Sequence, residues 1–325
     1  MNERELHKLS RLAEIASLYY ERGFSQSEIS EKLCISRSRI SRLLQEAIDR
    51  GVVEINVHYS LERHYELELQ LKERLRLRQA RVLNNRGKTA EGIQSGVSSL
   101  AADYLQLFIR PDRIIGLSWG KLLSGAIELM EFPSPVSCRF VQLDGSEPLC
   151  GLPCADESPA AQLASRSGGT AHLLEVPPFL PDAVARAAYF SEEGNAVVRN
   201  MQRYCDLAVM CLEPIELFPG EQNRSPYLSE TCLCEAIGLK ALGTYGGRFL
   251  GREGQELDCA WNRAFTGAAL RDIRQAEEIV CLASGRRQVP LLRAALSAGL
   301  VDTLITDGTT AARLLRPNDT TAGPD

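Results

Sequence analysis

No apolar run in this 325-residue chain approaches the roughly 20 residues needed to span a bilayer as a helix. The N-terminus, rich in Glu, Arg and Lys, has no apolar signal-peptide core. Both absences point to a cytoplasmic protein with no membrane partner. Positive charge is also short, since 37 Lys and Arg stand against 42 Asp and Glu for a net charge of −5. That balance argues against nucleic acid wrapped over the whole surface. Histidine is scarce, with His7, His58, His64 and His172 as the only four. Three of them precede residue 65, leaving the rest of the chain little imidazole for acid–base chemistry. The ten cysteines contain no C-x2-C pair, because Cys150…Cys154 and Cys232…Cys234 are spaced otherwise. They read as buried reduced thiols, and neither a metal nor another cofactor is expected.

What the chain does have is a pair of short helix patterns around a tight turn, from Phe24 to Leu44. Ser25 is a helix cap whose bond Glu28 can return three residues later, after which Ile29 and Leu33 share one face. Cys34-Ile35 forms the turn, and Ser36 is a second cap, so the segment reads as a helix-turn-helix. On the second helix Ile40, Leu43, Leu44 and Ala47 fall on one side. Ser38, Ser41, Arg42 and Gln45 lie opposite, flanked by Arg37 and Arg39. Arg and Gln are the residues that read guanine and adenine edges in the major groove, while hydroxyls and cations also meet phosphates. The first helix start, at Ser25 and Gln26, offers N–H groups to a DNA phosphate. The bland alternative is a capped helical hairpin with a solvated face.

Context favours DNA. Leu12, Ile15, Ala16 and Tyr19 recur at helical spacing before the motif, and Gly51 followed by Val52-Val53-Glu54-Ile55-Asn56-Val57 reads as a stop and a strand, completing a winged domain over residues 1–58. Residues 1–60 hold nine cations and nine anions, so the positive charge is local to Arg37, Arg39 and Arg42. One copy should bind weakly, and a homo-oligomer, dimer or tetramer, is expected on double-stranded operator DNA.

Residues 59–79 read as a connecting helix with Leu67, Leu71 and Leu75 in one row, facing either its own domain or a second copy. Residues 80–315 alternate strand and helix, with short apolar strands at 80–83, 113–118, 138–143, 207–212, 278–283 and 301–305, and residues 316–325 read as a tail. The fold class is therefore α/β, a winged helix-turn-helix head followed by a doubly wound domain. Ligands of such sheets sit beyond the carboxyl ends of the strands. Three loops there suit a phosphate, Gly116–Lys121, Ala283–Gln288 and Ile305–Thr310, although each is also ordinary turn chemistry.

From about residue 10 to 315 the chain resembles the SorC/DeoR-type family of bacterial sugar-responsive transcriptional regulators. The resemblance lies in Tyr19-Tyr20-Glu21, Ser25–Ile29, Ile35–Leu44 and Gly51–Ile55, then in Gly116-Leu117-Ser118-Trp119-Gly120, Gly247-Arg248-Phe249, Asn262-Arg263 and Leu304-Ile305-Thr306-Asp307. It implies a sugar-phosphate-binding domain related in fold to glucosamine-phosphate and ribose-phosphate isomerases, acting usually as a tetramer on paired operator sites. It places Ser118, Gly120 and Lys121 by the sugar phosphate, Arg263 on a phosphate, and Gly285 in a second pocket loop. The chain departs from the pattern at Leu122 for Thr, Cys211-Leu212-Glu213 for Gly-Ile-Gly, Gly243-Thr244 for Gly-Asp, Gln288 for Lys and Gly308 for an acidic residue. Gln288 is kept among the effector-binding candidates.

Three functions follow. The leading one is a regulator of a carbohydrate operon gated by a phosphorylated sugar. The second is a sugar-phosphate isomerase or deaminase, opposed by the absence of a recognisable acid/base partner for Asp144, Asp206 or Asp307. The third is a constitutive DNA-binding protein with a vestigial pocket.

Overall fold

The computed structural model describes residues 3–53, 63–146, 148–149, 158–218 and 225–316. The chain divides into two compact units, Met1–Ser60 and Leu61–Asp325.

The first unit is built on three helices, α1 (Glu3–Ala16), α2 (Gln26–Leu33) and α3 (Arg37–Asp49), with a π-helical turn at Ser17–Glu21. Of the expected helix-period residues Leu12, Ile15, Ala16, Ile29, Ile40, Leu44 and Ala47 are buried, Tyr19, Leu33 and Leu43 are partly so, and Leu18 joins the core unexpectedly. Ser25 and Glu28 make the reciprocal capping box, with Ser25 N–H donating to Glu28 Oε2 at 2.7 Å and Glu28 N–H donating to Ser25 Oγ at 3.3 Å. The backbone bond also holds the Glu28 carboxyl below its ordinary range. Ser36 occupies the cap position of α3, but its hydroxyl reaches no backbone N–H and lies instead 3.3 Å from Ser38 Oγ. Gly51 takes a left-handed φ of +69° and ends the helix as expected. Val52 and Val53 follow as a bend packed on the helices, and the remainder of the expected wing strand, 54–57, lies outside the described residues.

In the second unit the apolar runs become strands because each is covered on both faces. The helices are α4 (Tyr65–Leu75), α5 (Ala90–Leu105), α6 (Lys121–Leu129), α7 (Pro159–Ser167), α8 (Ala183–Ser191), α9 (Glu193–Arg203), α10 (Glu230–Gly238), α11 (Ala260–Ala264), α12 (Leu270–Ile273), α13 (Val289–Ser297) and α14 (Gly308–Leu314). The strands are β1 (Gln79–Leu83), β2 (Ile114–Leu117), β3 (Arg139–Gln142), β4 (Thr170–His172), β5 (Leu207–Pro214), β6 (Gly243–Tyr245), β7 (Arg248–Leu250), β8 (Glu278–Ala283) and β9 (Thr303–Asp307). The order β1-β9-β8-β5-β2-β3-β4 is parallel throughout, and β6 and β7 extend β5 as an antiparallel hairpin. Alternation along β5 sends Leu207, Val209 and Cys211 toward α5 and α6, and Ala208, Met210 and Leu212 toward α13. The sheet is thus doubly wound.

Helix α4 packs on its own unit, with Leu71 fully buried and Leu67 and Leu75 partly so. Glu68 anchors it from inside, accepting from Arg63 Nε at 2.9 Å and from the Val82 N–H at 2.9 Å. Elements that no alternation announced are the three-residue strand β4 and the β6–β7 hairpin, which carries a separate aromatic core of Phe218, Phe249, Trp261 and Phe265. Among the described residues no helix is long and apolar enough to cross a membrane.

Asp144, just past β3, is buried and accepts from the Trp119 N–H at 2.9 Å. Burial pushes its carboxyl up to about 8, with the neighbouring Glu213 charge adding to the effect and the Trp119 bond opposing it. A carboxyl kept neutral by the fold but ionised in the open chain stabilises fully only below its ordinary value of 3.8, and that stability is lost as pH rises toward about 8. Wild-type protein should therefore lose melting temperature between pH 5 and pH 8, and Asp144→Asn, which keeps the acceptor oxygen, should lose less. Equal slopes for the two proteins in scanning fluorimetry would contradict the assignment.

Candidate functional site

Two surfaces carry chemistry. The first is the outer side of α3. Arg37, Ser38, Arg39, Ser41, Arg42 and Gln45 are all exposed while Ile40, Leu44 and Ala47 on the opposite side are buried. Two other cations of the head are paired, since Arg50 lies 3.0 Å from Glu46 and Lys8 lies 2.6 Å from the same carboxylate. Among the described residues Arg37, Arg39 and Arg42 have no such partner. Gln45 donates to Asp49 Oδ1 at 3.0 Å, a bond along its own helix. Ser25 and Ser36 are exposed and Gln26 is half-buried at the starts of α2 and α3. The turn between the helices runs through Cys34 at a left-handed φ of +53°, fixed by Ser30 Oγ donating to the Ile35 carbonyl at 2.5 Å.

The second surface follows from the strand order. Successive strands run outward from β2 through β3 to β4, but β5 lies on the other side of β2, so connections leave the β2–β5 pair in opposite directions. That reversal opens a crevice at the carboxyl ends. A cavity of about 440 Å³ occupies it, lined by the β2–α6 loop at Gly120 and Lys121, the end of β5 at Cys211–Pro214, and the β8–α13 loop at Ser284–Gln288. Leu122, Leu212, Leu217 and Leu282 supply its apolar wall.

The β2–α6 loop presses against β5. Any Cβ at Gly120 would collide with the Cys211 thiol, and Ser118 Oγ accepts from the Cys211 N–H at 2.9 Å. Helix α6 has no side-chain cap, which leaves the N–H groups and positive dipole of its first turn open beside the exposed Lys121. In the β8–α13 loop Gly285 has φ +105°, a conformation that favours glycine, and its N–H donates to Thr310 Oγ1 at 2.9 Å. Gln288 accepts from the Ser284 N–H at 2.7 Å and donates to the Leu212 carbonyl at 3.0 Å. Arg286 and Arg287 remain exposed at the cavity without an ion-pair partner among the described residues.

The predicted residues separate accordingly. Gly120, Lys121, Gly285 and Gln288 are brought together, with Gln288 committed to holding the loop. Ser118 is fully buried behind the wall, its hydroxyl spent on β5. Arg263 is not brought to this cavity; it is exposed on α11, 2.7 Å from Asp258. Its neighbour Asn262 is structural, accepting from the Phe249 N–H at 2.9 Å and donating to the Leu257 carbonyl at 2.8 Å. Arg248 is likewise buried, donating to the carbonyls of Ala268, Asn262 and Gly267. The third predicted loop already holds an anion, because Asp307 accepts from the N–H groups of Thr309 and Thr310 that start α14. Burial raises the Asp307 carboxyl, but bonds from Thr310, Asn85 and Ser284 outweigh that and lower it. Arg286 and Arg287 lie in the predicted Ala283–Gln288 loop, and Glu213 at a noted departure from the family pattern, but none of the three was singled out as an effector-binding residue; the signal for the arginines was their place directly after Ser284-Gly285 at a strand end. Glu213 lines the cavity and accepts from Thr244 Oγ1 at 3.0 Å. Of the paired cysteines, Cys232 is buried and Cys234 exposed, while Cys150 and Cys154 lie outside the described residues.

Residues 59–316 match the family described as "Putative sugar-binding domain", and residues 10–50 match "Sigma-70, region 4". The chain is 25% identical over 315 residues to the sorbitol operon regulator of Klebsiella pneumoniae, covering 94% of this chain and 97% of the relative. It is 27% identical over 319 residues to the deoxyribonucleoside regulator of Bacillus subtilis (strain 168), covering 96% and 99%. The crystal structure of the full-length sorbitol operon regulator SorC from K. pneumoniae shares the fold, with a TM-score of 0.70 at 23% identity over 94% of this chain and 98% of that one. With a match spanning most of its length and relatives named as regulators rather than enzymes, the chain belongs to the SorC/DeoR family of transcriptional regulators, a DNA-binding helix-turn-helix joined to a sugar-binding domain.

Proposed function

We propose that this regulator is gated by a phosphorylated sugar bound in the β2–β5 crevice and controls a carbohydrate-metabolism operon from the cytoplasm as a dimer or tetramer. The observation that carries the reading is the convergence of Lys121, Arg286, Arg287 and the uncapped start of α6 on one apolar-walled cavity. Four positive elements suit a phosphate, and the Glu213 carboxylate in the same lining suits sugar hydroxyls. The names of the relatives, a sorbitol operon regulator and a deoxyribonucleoside regulator, support a carbohydrate-related target. In this reading residues 1–58 form the DNA-binding domain, Arg37, Ser38, Arg39, Ser41, Arg42 and Gln45 face the major groove, and Ser25, Gln26 and Ser36 meet phosphates. Gating requires the sugar phosphate to favour one arrangement of the heads over another, a coupling of about 1–3 kcal/mol. Gln288, held inside its own loop, favours a second reading in which the pocket is vestigial and DNA binding is constitutive.

A panel of hexose and pentose phosphates should separate the two, because a ligand at 100 times its Kd adds about 2.7 kcal/mol to stability. Lys121→Ala should weaken the responding sugar phosphate by about 1–3 kcal/mol, and Arg263→Ala should leave its melting shift unchanged. A panel without any shift would favour the constitutive reading.

Arg42→Ala should cost about 1–3 kcal/mol of operator affinity, with relaxed sequence preference if the side chain reads a base and uniform loss if it meets phosphate. Unchanged binding in a gel-shift titration at fixed salt would remove Arg42 from the interface.

A further inference from the structure

We propose a second anion site, a groove lined by Arg74, Arg76, Arg293 and Arg316 that binds phosphate groups. It is independent of the crevice. Helices α4, α13 and α14 end at the edge of the sheet where β1 and β9 begin, opposite the carboxyl edge that holds the sugar cavity. Their ends enclose a groove of about 400 Å³ with Leu75, Leu296 and Leu314 as its apolar part.

Arg293 is the positioning residue, donating from Nη2 to the Arg313 carbonyl at 2.6 Å and the Arg316 carbonyl at 2.8 Å. Arg74, Arg76 and Arg316 are exposed. Among the described residues no carboxylate lines the groove, and these three arginines have no ion-pair partner. Cations are ordinarily recruited to helix C-termini, but three helix ends carry roughly −0.5 charge each and balance only about half of the guanidinium charge of Arg74, Arg76 and Arg316. The surplus is set on a chain of net charge −5. Several planar guanidinium forks facing one groove match the bidentate geometry of phosphate oxygens. Phosphate could be supplied by a free phosphoester or by the backbone of a duplex, and the chemistry at the groove is the same.

The test uses the full chain with two probes, inorganic pyrophosphate by titration calorimetry in the Lys121→Ala background, and the affinity for non-operator duplex DNA as a function of salt. The variant is Arg74→Gln/Arg316→Gln. If the source is a free phosphoester, pyrophosphate binding should fall at least tenfold. If it is duplex DNA, the slope of log K against log salt should become shallower by about 1.8, the loss of two phosphate contacts. Either result supports the site and names the source. No change in both arms overturns it. Should the double variant not fold, Arg74→Gln alone gives the same reading at half the slope change.

Discussion

The pairing of β2 with β5 is the constraint on which the effector domain depends. Leu117 lies beside Val209, and just beyond them Ser118 Oγ takes the Cys211 N–H, so the two strand ends are locked together where the connections diverge. The crevice exists because chains leaving this pair cannot cover it. Everything that lines it arrives as a strand end or the start of the next helix. The positive elements therefore come from backbone geometry as much as from side chains. Gly120 shows the tightness of the arrangement, because no Cβ fits between its loop and Cys211.

In the head the corresponding constraint is the burial of Ile40, Leu44 and Ala47 against α1 and α2. Once that side of α3 is fixed, the outward direction of Arg37, Arg39 and Arg42 is a matter of helical period. The same period was readable in the sequence, as was the capping box at Ser25 and Glu28, because both are local. The Ser36 cap was local too, yet its hydroxyl turns to Ser38, a choice between two nearby partners that residue type alone does not settle. Alternating strands of the large domain were legible for the reason that both faces are buried and the apolar runs are continuous. Strand β4 and the strands of the β6–β7 hairpin were not, being three residues long and held on the sheet by β3 and β5, which are distant in sequence.

The candidate site was legible to a lesser degree. Family-like motifs marked Gly247-Arg248-Phe249 and Asn262-Arg263 as characteristic, and the structure gives most of these residues scaffolding work. Arg248 and Asn262 satisfy buried carbonyls of the aromatic lobe, and Arg263 points elsewhere toward Asp258. A motif held by unsatisfied backbone looks the same in one dimension as a motif held by a ligand. Three loops were equally plausible phosphate cradles until Asp307 was seen to occupy the start of α14 with its own carboxylate. A helix terminus that already contains its counter-charge has no attraction left for another.

Gln288 joins the Ser284 N–H to the Leu212 carbonyl and so braces the β8–α13 loop from within. With a neutral amide in that place the loop's shape is held by the protein's own polar groups. An incoming anion would find this part of the wall already formed and would have little ordering of it to accomplish. The groups left to order would be the exposed Arg286 and Arg287 beside it, whose long side chains lose rotamer freedom on contact.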